Sequence, residues 1–126
     1  MNRYRYLIII CLFSKCIAQD AVLVKDIRSG SNGSYADYLT RSNNTLFFIA
    51  NDGIHNHELW KSDGTTSGTV MVKDIAIGGA SDPTDLTDVN GVLFFTAMQS
   101  ITLGRQLWKS DGTVAGTTLV KNIRFS

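Results

Sequence analysis

A seven-residue stretch, Leu59-Trp60-Lys61-Ser62-Asp63-Gly64-Thr65, recurs unchanged as Leu107-Trp108-Lys109-Ser110-Asp111-Gly112-Thr113, 48 residues further along the chain. Val24-Lys25-Asp26-Ile27 returns as Val72-Lys73-Asp74-Ile75 and again as Val120-Lys121-Asn122-Ile123, at the same interval each time. Leu46-Phe47-Phe48 returns as Leu93-Phe94-Phe95 after 47 residues, so the length changes fall in loops on either side of that segment. A period of this size marks a tandem architecture, in which one supersecondary unit buries its apolar face only against the next. The chain from residue 20 onward therefore divides into a leading strand, 22–27, a first unit, 28–75, and a second unit, 76–123.

Each unit reads as four short strands. Val70–Ile75 is rich in β-branched residues and runs into Gly78-Gly79-Ala80-Ser81-Asp82-Pro83, a cluster of turn formers. Leu86–Val89 and Val92–Ala97 flank Asn90-Gly91, a pair that tolerates positive φ at both positions and predicts a two-residue hairpin. Asn43-Asn44 holds the same place in the first unit. Gln106–Ser110 and Thr118–Ile123 complete the second. Leu93, Phe95 and Ala97 share one face of their strand and Phe94 and Thr96 the other, which predicts a strand covered on both sides. The expected class is all-β, with two four-stranded antiparallel units of the kind that stack as propeller blades.

Residues 58–75, ELWKSDGTTSGTVMVKDI, closely resemble the ELWxxDGT repeat of secreted bacterial proteins. Asp52-Gly53-Ile54-His55 and Leu46-Phe47-Phe48 fit that repeat as well, so the resemblance covers Val22–Ile123. It implies export, a propeller-like β structure with many tandem copies, and no enzymatic activity. The second unit departs from the pattern: Met98–Thr102 replaces the Asp-Gly-x-His turn, and Gln106 stands where Glu58 stands in the first.

Residues 1–19 read as a secretory signal peptide. Arg3 and Arg5 precede the apolar run Leu7–Phe13, which is far shorter than the roughly 20 residues a membrane-spanning helix needs. Small residues at the −3 and −1 positions favour cleavage after Ala18, with Gln19 the alternative. Both cysteines, Cys11 and Cys16, would leave with this segment, and so would Arg3, Arg5 and Lys15, lowering the formal charge of +1 by three. A chain so close to neutral excludes a polybasic nucleic-acid binder. The mature chain would hold no thiol and no transmembrane segment.

The chemical candidates are few. His55, His57 and Glu58 form the one cluster with metal-ligand character, since alternate residues of a strand share a face and two imidazoles with a third ligand can hold zinc. Trp60 and Trp108 offer indole faces for stacking on a glycan, yet their place in an identical motif fits anchors of a repeat core better. Asp63 and Asp111 each bring a single carboxylate to a turn, against the six to eight oxygens calcium takes. Asp82, Asp85 and Asp88 crowd around Pro83 in what reads as turn chemistry. Catalytic residues and cofactors are not expected: no nucleophile elbow, phosphate-binding loop or zinc-protease motif occurs.

The expected function is that of an exported, non-catalytic β-repeat module at the cell surface or beyond it, which binds or builds through its loops. Its partners would be further repeats, a second copy, or an extracellular glycan or protein. The alternatives are a glycan-binding or hydrolytic propeller fragment whose site is completed by missing blades, and a truncated remnant without independent function. A closed propeller takes about four to eight blades, so two units predict association.

Overall fold

The computed structural model describes residues 20–123, so the signal-peptide reading of residues 1–19 lies outside the described residues. Eight strands form two four-stranded antiparallel sheets, and no helix occurs among the described residues. The first sheet contains β1 (Asp37–Ser42), β2 (Thr45–Asn51), β3 (His57–Ser62) and β4 (Val70–Lys73), side by side in chain order. The second contains β5 (Thr84–Val89), β6 (Val92–Met98), β7 (Arg105–Ser110) and β8 (Thr118–Lys121), in the same order.

The registers match strand for strand. Phe48 faces Trp60 across β2 and β3, and Phe95 faces Trp108 across β6 and β7. A bulge interrupts β1 between Asp37 and Thr40, and another interrupts β5 between Thr84 and Thr87. The hairpin expected at Asn90-Gly91 forms, with φ of 51° and 82° at the two residues. Its counterpart turns at Asn43-Asn44, where Asn43 takes a φ of 52°. The loop from β2 to β3 is one residue shorter than that from β6 to β7, which locates the change of interval from 47 to 48.

The sheets pack against each other through one apolar core. Phe47, Leu59, Val72 and Ile75 of the first meet Leu93, Phe95, Ala97 and Trp108 of the second, all buried. Eight such side chains, each worth roughly 1.5–3 kcal/mol when removed from water, are the main force joining the sheets. Two lysines of the first sheet cross the same seam. Lys61 Nζ donates to the Gly112 carbonyl at 2.7 Å, and Lys73 Nζ to that of Thr117 at 2.9 Å.

The leading strand expected at 22–27 does not form. These residues make no strand; Lys25 Nζ donates to the Thr69 carbonyl at 2.7 Å, and the Val24 carbonyl accepts from Thr66 Oγ1 at 2.7 Å. The cause is the lack of a ladder partner. Val72-Lys73 pairs with β3, whereas no strand among the described residues lies beside Val24-Lys25 to exchange backbone bonds with it. Ile27, like Met71, still packs on the cluster of Phe48, Ala50 and Trp60, a second and smaller core on the far face of the first sheet.

Coverage on both faces holds for β2, where Phe47, Phe48, Ile49 and Ala50 are all buried. It does not hold for β6. Leu93, Phe95 and Ala97 are buried, while Phe94 and Thr96 are only half-buried, because no described residues form a layer over that face.

Candidate binding cleft

The connector from β4 to β5 shapes a concavity lined by residues of both sheets. Glu58, fully buried on β3, accepts hydrogen bonds from the Ser81 amide at 3.0 Å, the Ser81 hydroxyl, and the Ile75 amide at 3.3 Å. Burial pushes its carboxyl up to about 7 in spite of those donors. Ser81 is held in turn by its carbonyl, which accepts from the Met98 amide at 2.8 Å. The next residue, Asp82, donates its amide to the His57 carbonyl at 3.1 Å and adopts a φ of 39°.

These bonds bring Asp82 beside His57, with Nδ1 and Oδ1 3.5 Å apart. The Tyr35 ring stands edge-on to the His57 ring, with centroids 6.4 Å apart. Tyr35, Tyr38, Ile49, Asp82 and Pro83 line a cleft of about 220 Å³ with His57. Tyr35 and Tyr38, also at positive φ, are 65% and 47% exposed, so their rings remain open to solvent. Arg105 reaches the rim, donating to the Asp82 carbonyl at 2.7 Å and to Thr84 Oγ1 at 3.1 Å. The cleft thus offers aromatic faces, an imidazole, a carboxylate and a guanidinium, a set suited to holding a polar ligand.

The structure does not bring His55, His57 and Glu58 together. His55 belongs to the β2–β3 loop, where Asp52 accepts from the Ile54 and His55 amides at 2.8 Å each and pairs with His55 Nδ1 at 2.7 Å. Burial raises the Asp52 carboxyl, but the bonds from His55 and Ile54 outweigh it and hold the group below its usual range. The same pair lifts the His55 imidazole above its ordinary value. Glu58 lies on the opposite face of β3 from His57, buried and bonded to Ser81 and the Ile75 amide. Among the described residues no three or more His, Cys, Asp or Glu side chains converge as metal ligands.

Asp63 and Asp111 are occupied within their own turns. Asp63 Oδ1 accepts from the Thr65 amide at 2.9 Å and hydroxyl at 2.7 Å, and Asp111 Oδ1 accepts from those of Thr113 at 2.8 and 2.7 Å. The threonine hydroxyl first, and its amide second, hold each carboxyl below its ordinary range. Gly68 and Gly116 lie directly against these carboxylates: an added Cβ would sit 2.0 Å from Asp63 Oδ1 and 2.1 Å from Asp111 Oδ1.

Trp60 and Trp108 are 6% and 4% exposed, and each lies in an apolar core with its Nε1 unpartnered. Neither presents a face to a ligand. The cleft has no signature in the sequence, since Tyr35, His57 and Asp82 lie far apart in the chain and meet through bonds such as those of Ser81 to Glu58 and of the Asp82 amide to the His57 carbonyl. No family model, curated protein or solved structure matches this chain.

Proposed function

We propose that the chain is an exported, non-catalytic module of the ELWxxDGT-repeat type, whose sheets act as blade-like stacking units and whose loops present a binding surface outside the cell. The observation that carries this reading is the shared Leu-Trp-Lys-Ser-Asp-Gly-Thr segment. In both sheets it forms the third strand and the turn after it, with its tryptophan in a core and its serine and aspartate bonded within the fold. A motif repeated for packing supports a scaffold, and the cleft at Tyr35, His57 and Asp82 is the place where that scaffold meets a polar partner.

Expression of the full reading frame in a bacterial host tests this. The chain should be recovered outside the cytoplasm with its first residue at Gln19 or Asp20 by mass spectrometry. It should show no hydrolysis of chromogenic glycosides or esters. Retention of residues 1–19 in a cytoplasmic product would overturn the export reading, and turnover abolished by His57→Ala would overturn the non-catalytic one.

A further inference from the structure

The side chains that join the two sheets are repeated on the outer face of the second sheet, where no described residue covers them. Phe94, Leu107, Val120 and Ile123 follow Phe47, Leu59, Val72 and Ile75 by 47 or 48 residues. The earlier four are at most 5% exposed, whereas Val120 and Ile123 are 43% and 53% exposed and Phe94 and Leu107 are half-buried.

The complementary surface is present at the other end of the molecule. Phe48, Ala50, Trp60 and Met71 on the far face of the first sheet correspond to Phe95, Ala97, Trp108 and Leu119, the side chains that cover the first sheet from the second. One end of the chain thus carries the knobs of the inter-sheet seam and the other end carries its sockets.

The leading segment occupies those sockets. Ile27 packs on Trp60 as Ile75 joins Trp108 in the main core, and Lys25 donates to the Thr69 carbonyl as Lys73 donates to that of Thr117. The imitation is incomplete. Leu46 is 36% exposed where its counterpart Leu93 is fully buried, and a groove of about 310 Å³ runs between Val22-Leu23 and Leu39, Leu46 and Phe48. Gly64 has nothing within 4 Å of its open side, where the matching Gly112 touches Phe47 and Lys61.

We propose that a second copy of this chain docks head to tail on the outer face of the second sheet. Val120–Ile123 of one copy displaces Val24–Ile27 from the first sheet of the other. In that arrangement Lys109 donates to the Gly64 carbonyl of the other copy and Lys121 to that of Thr69, repeating the Lys61–Gly112 and Lys73–Thr117 bonds. Such a contact is heterologous, so copies add in rows or close into a ring. The leading segment acts as an internal competitor that lowers the affinity of the free chain. The proposal rests on the reading of the sheets as stacking units.

Sedimentation velocity over a concentration series, on the chain as processed from its full reading frame, tests it. Wild type should associate reversibly. The variant Val24→Ser/Ile27→Ser, which weakens the competitor, should associate at about tenfold lower concentration. Leu107→Asp should remain monomeric, and Val120→Glu, at an exposed position and milder for folding, should do so with its circular dichroism unchanged. A natively folded monomer in both wild type and Val24→Ser/Ile27→Ser, or association unaffected by Val120→Glu, would sink the proposal. Either result leaves export and the lack of turnover untouched, so the two readings fail separately.

Discussion

The Glu58 carboxylate accepts both the amide and the hydroxyl hydrogens of Ser81, and so ties the third strand of one sheet to the connector that begins the next. Gln106 takes the matching place in the second unit, where its Oε1 accepts from the Ile123 amide at 2.8 Å and its Nε2 donates to the Leu103 carbonyl at 2.7 Å. One position is thus filled by an ionisable group and by its neutral isostere.

This comparison predicts a pH effect. With its carboxyl raised to about 7 in the folded chain, Glu58 holds a proton more tightly folded than unfolded. Its contribution to stability is therefore full below the unfolded value of 4.5 and declines as pH rises through 7. Glu58→Gln should remove that decline, leaving the variant about 1–2 kcal/mol more stable than wild type at pH 8 relative to the difference at pH 4. Urea denaturation across that range measures it, and parallel curves for the two proteins would refute the assignment.

The Asp52–His55 pair predicts a pH effect of the same sign in an imidazole. The imidazole is raised above its ordinary 6.5, so the pair contributes below that pH and is lost as pH rises through the raised value. In a proton NMR titration His55 should titrate above 6.5 and fall back in Asp52→Asn. An unchanged His55 midpoint in that variant would contradict the loop geometry.

Gly68→Ala and Gly116→Ala should each destabilise the chain by about 1–3 kcal/mol, because the new methyl group meets a carboxylate that Thr65 or Thr113 holds in place. Adding Asp111→Ala to Gly116→Ala should restore part of the loss, a non-additive result that thermal denaturation of the four members of the cycle reads directly.

The two tryptophans should differ. Trp108→Ala opens the core shared by both sheets and should cost about 3–5 kcal/mol. Trp60→Ala opens the smaller cluster, which Ile27 of the leading segment covers only in part, and should cost less. Each variant keeps one tryptophan, so its fluorescence during denaturation reports the sheet that remains.

Much of this architecture is legible in the repeat and in short-range chemistry. Asn90-Gly91 marks its hairpin, and the apolar run from Val92 to Ala97 marks its strand, because both depend on neighbours in sequence. The leading segment misleads for the same reason: Val24-Lys25-Asp26-Ile27 has strand-forming residues, but a strand also needs a ladder partner. Glu58 reads as a candidate metal ligand beside two histidines until Ser81, 23 residues away, is folded onto it. Nothing in the sequence sets Lys61 and Lys73 apart, and only the packing of the sheets shows them crossing the seam.

The bonds that cross from one sheet to the other have a kinetic consequence. Lys61 reaches Gly112, 51 residues away, and Ser42 reaches Asp88, 46 residues away. Each of these contacts spans about one period, a separation that does not grow as units are added. Relative contact order therefore falls in a longer chain of the same pattern, and the entropy of closing each new seam stays constant. Folding in such a chain can start at any pair of neighbouring units and spread outward, so additional length slows neither the first step nor the later ones.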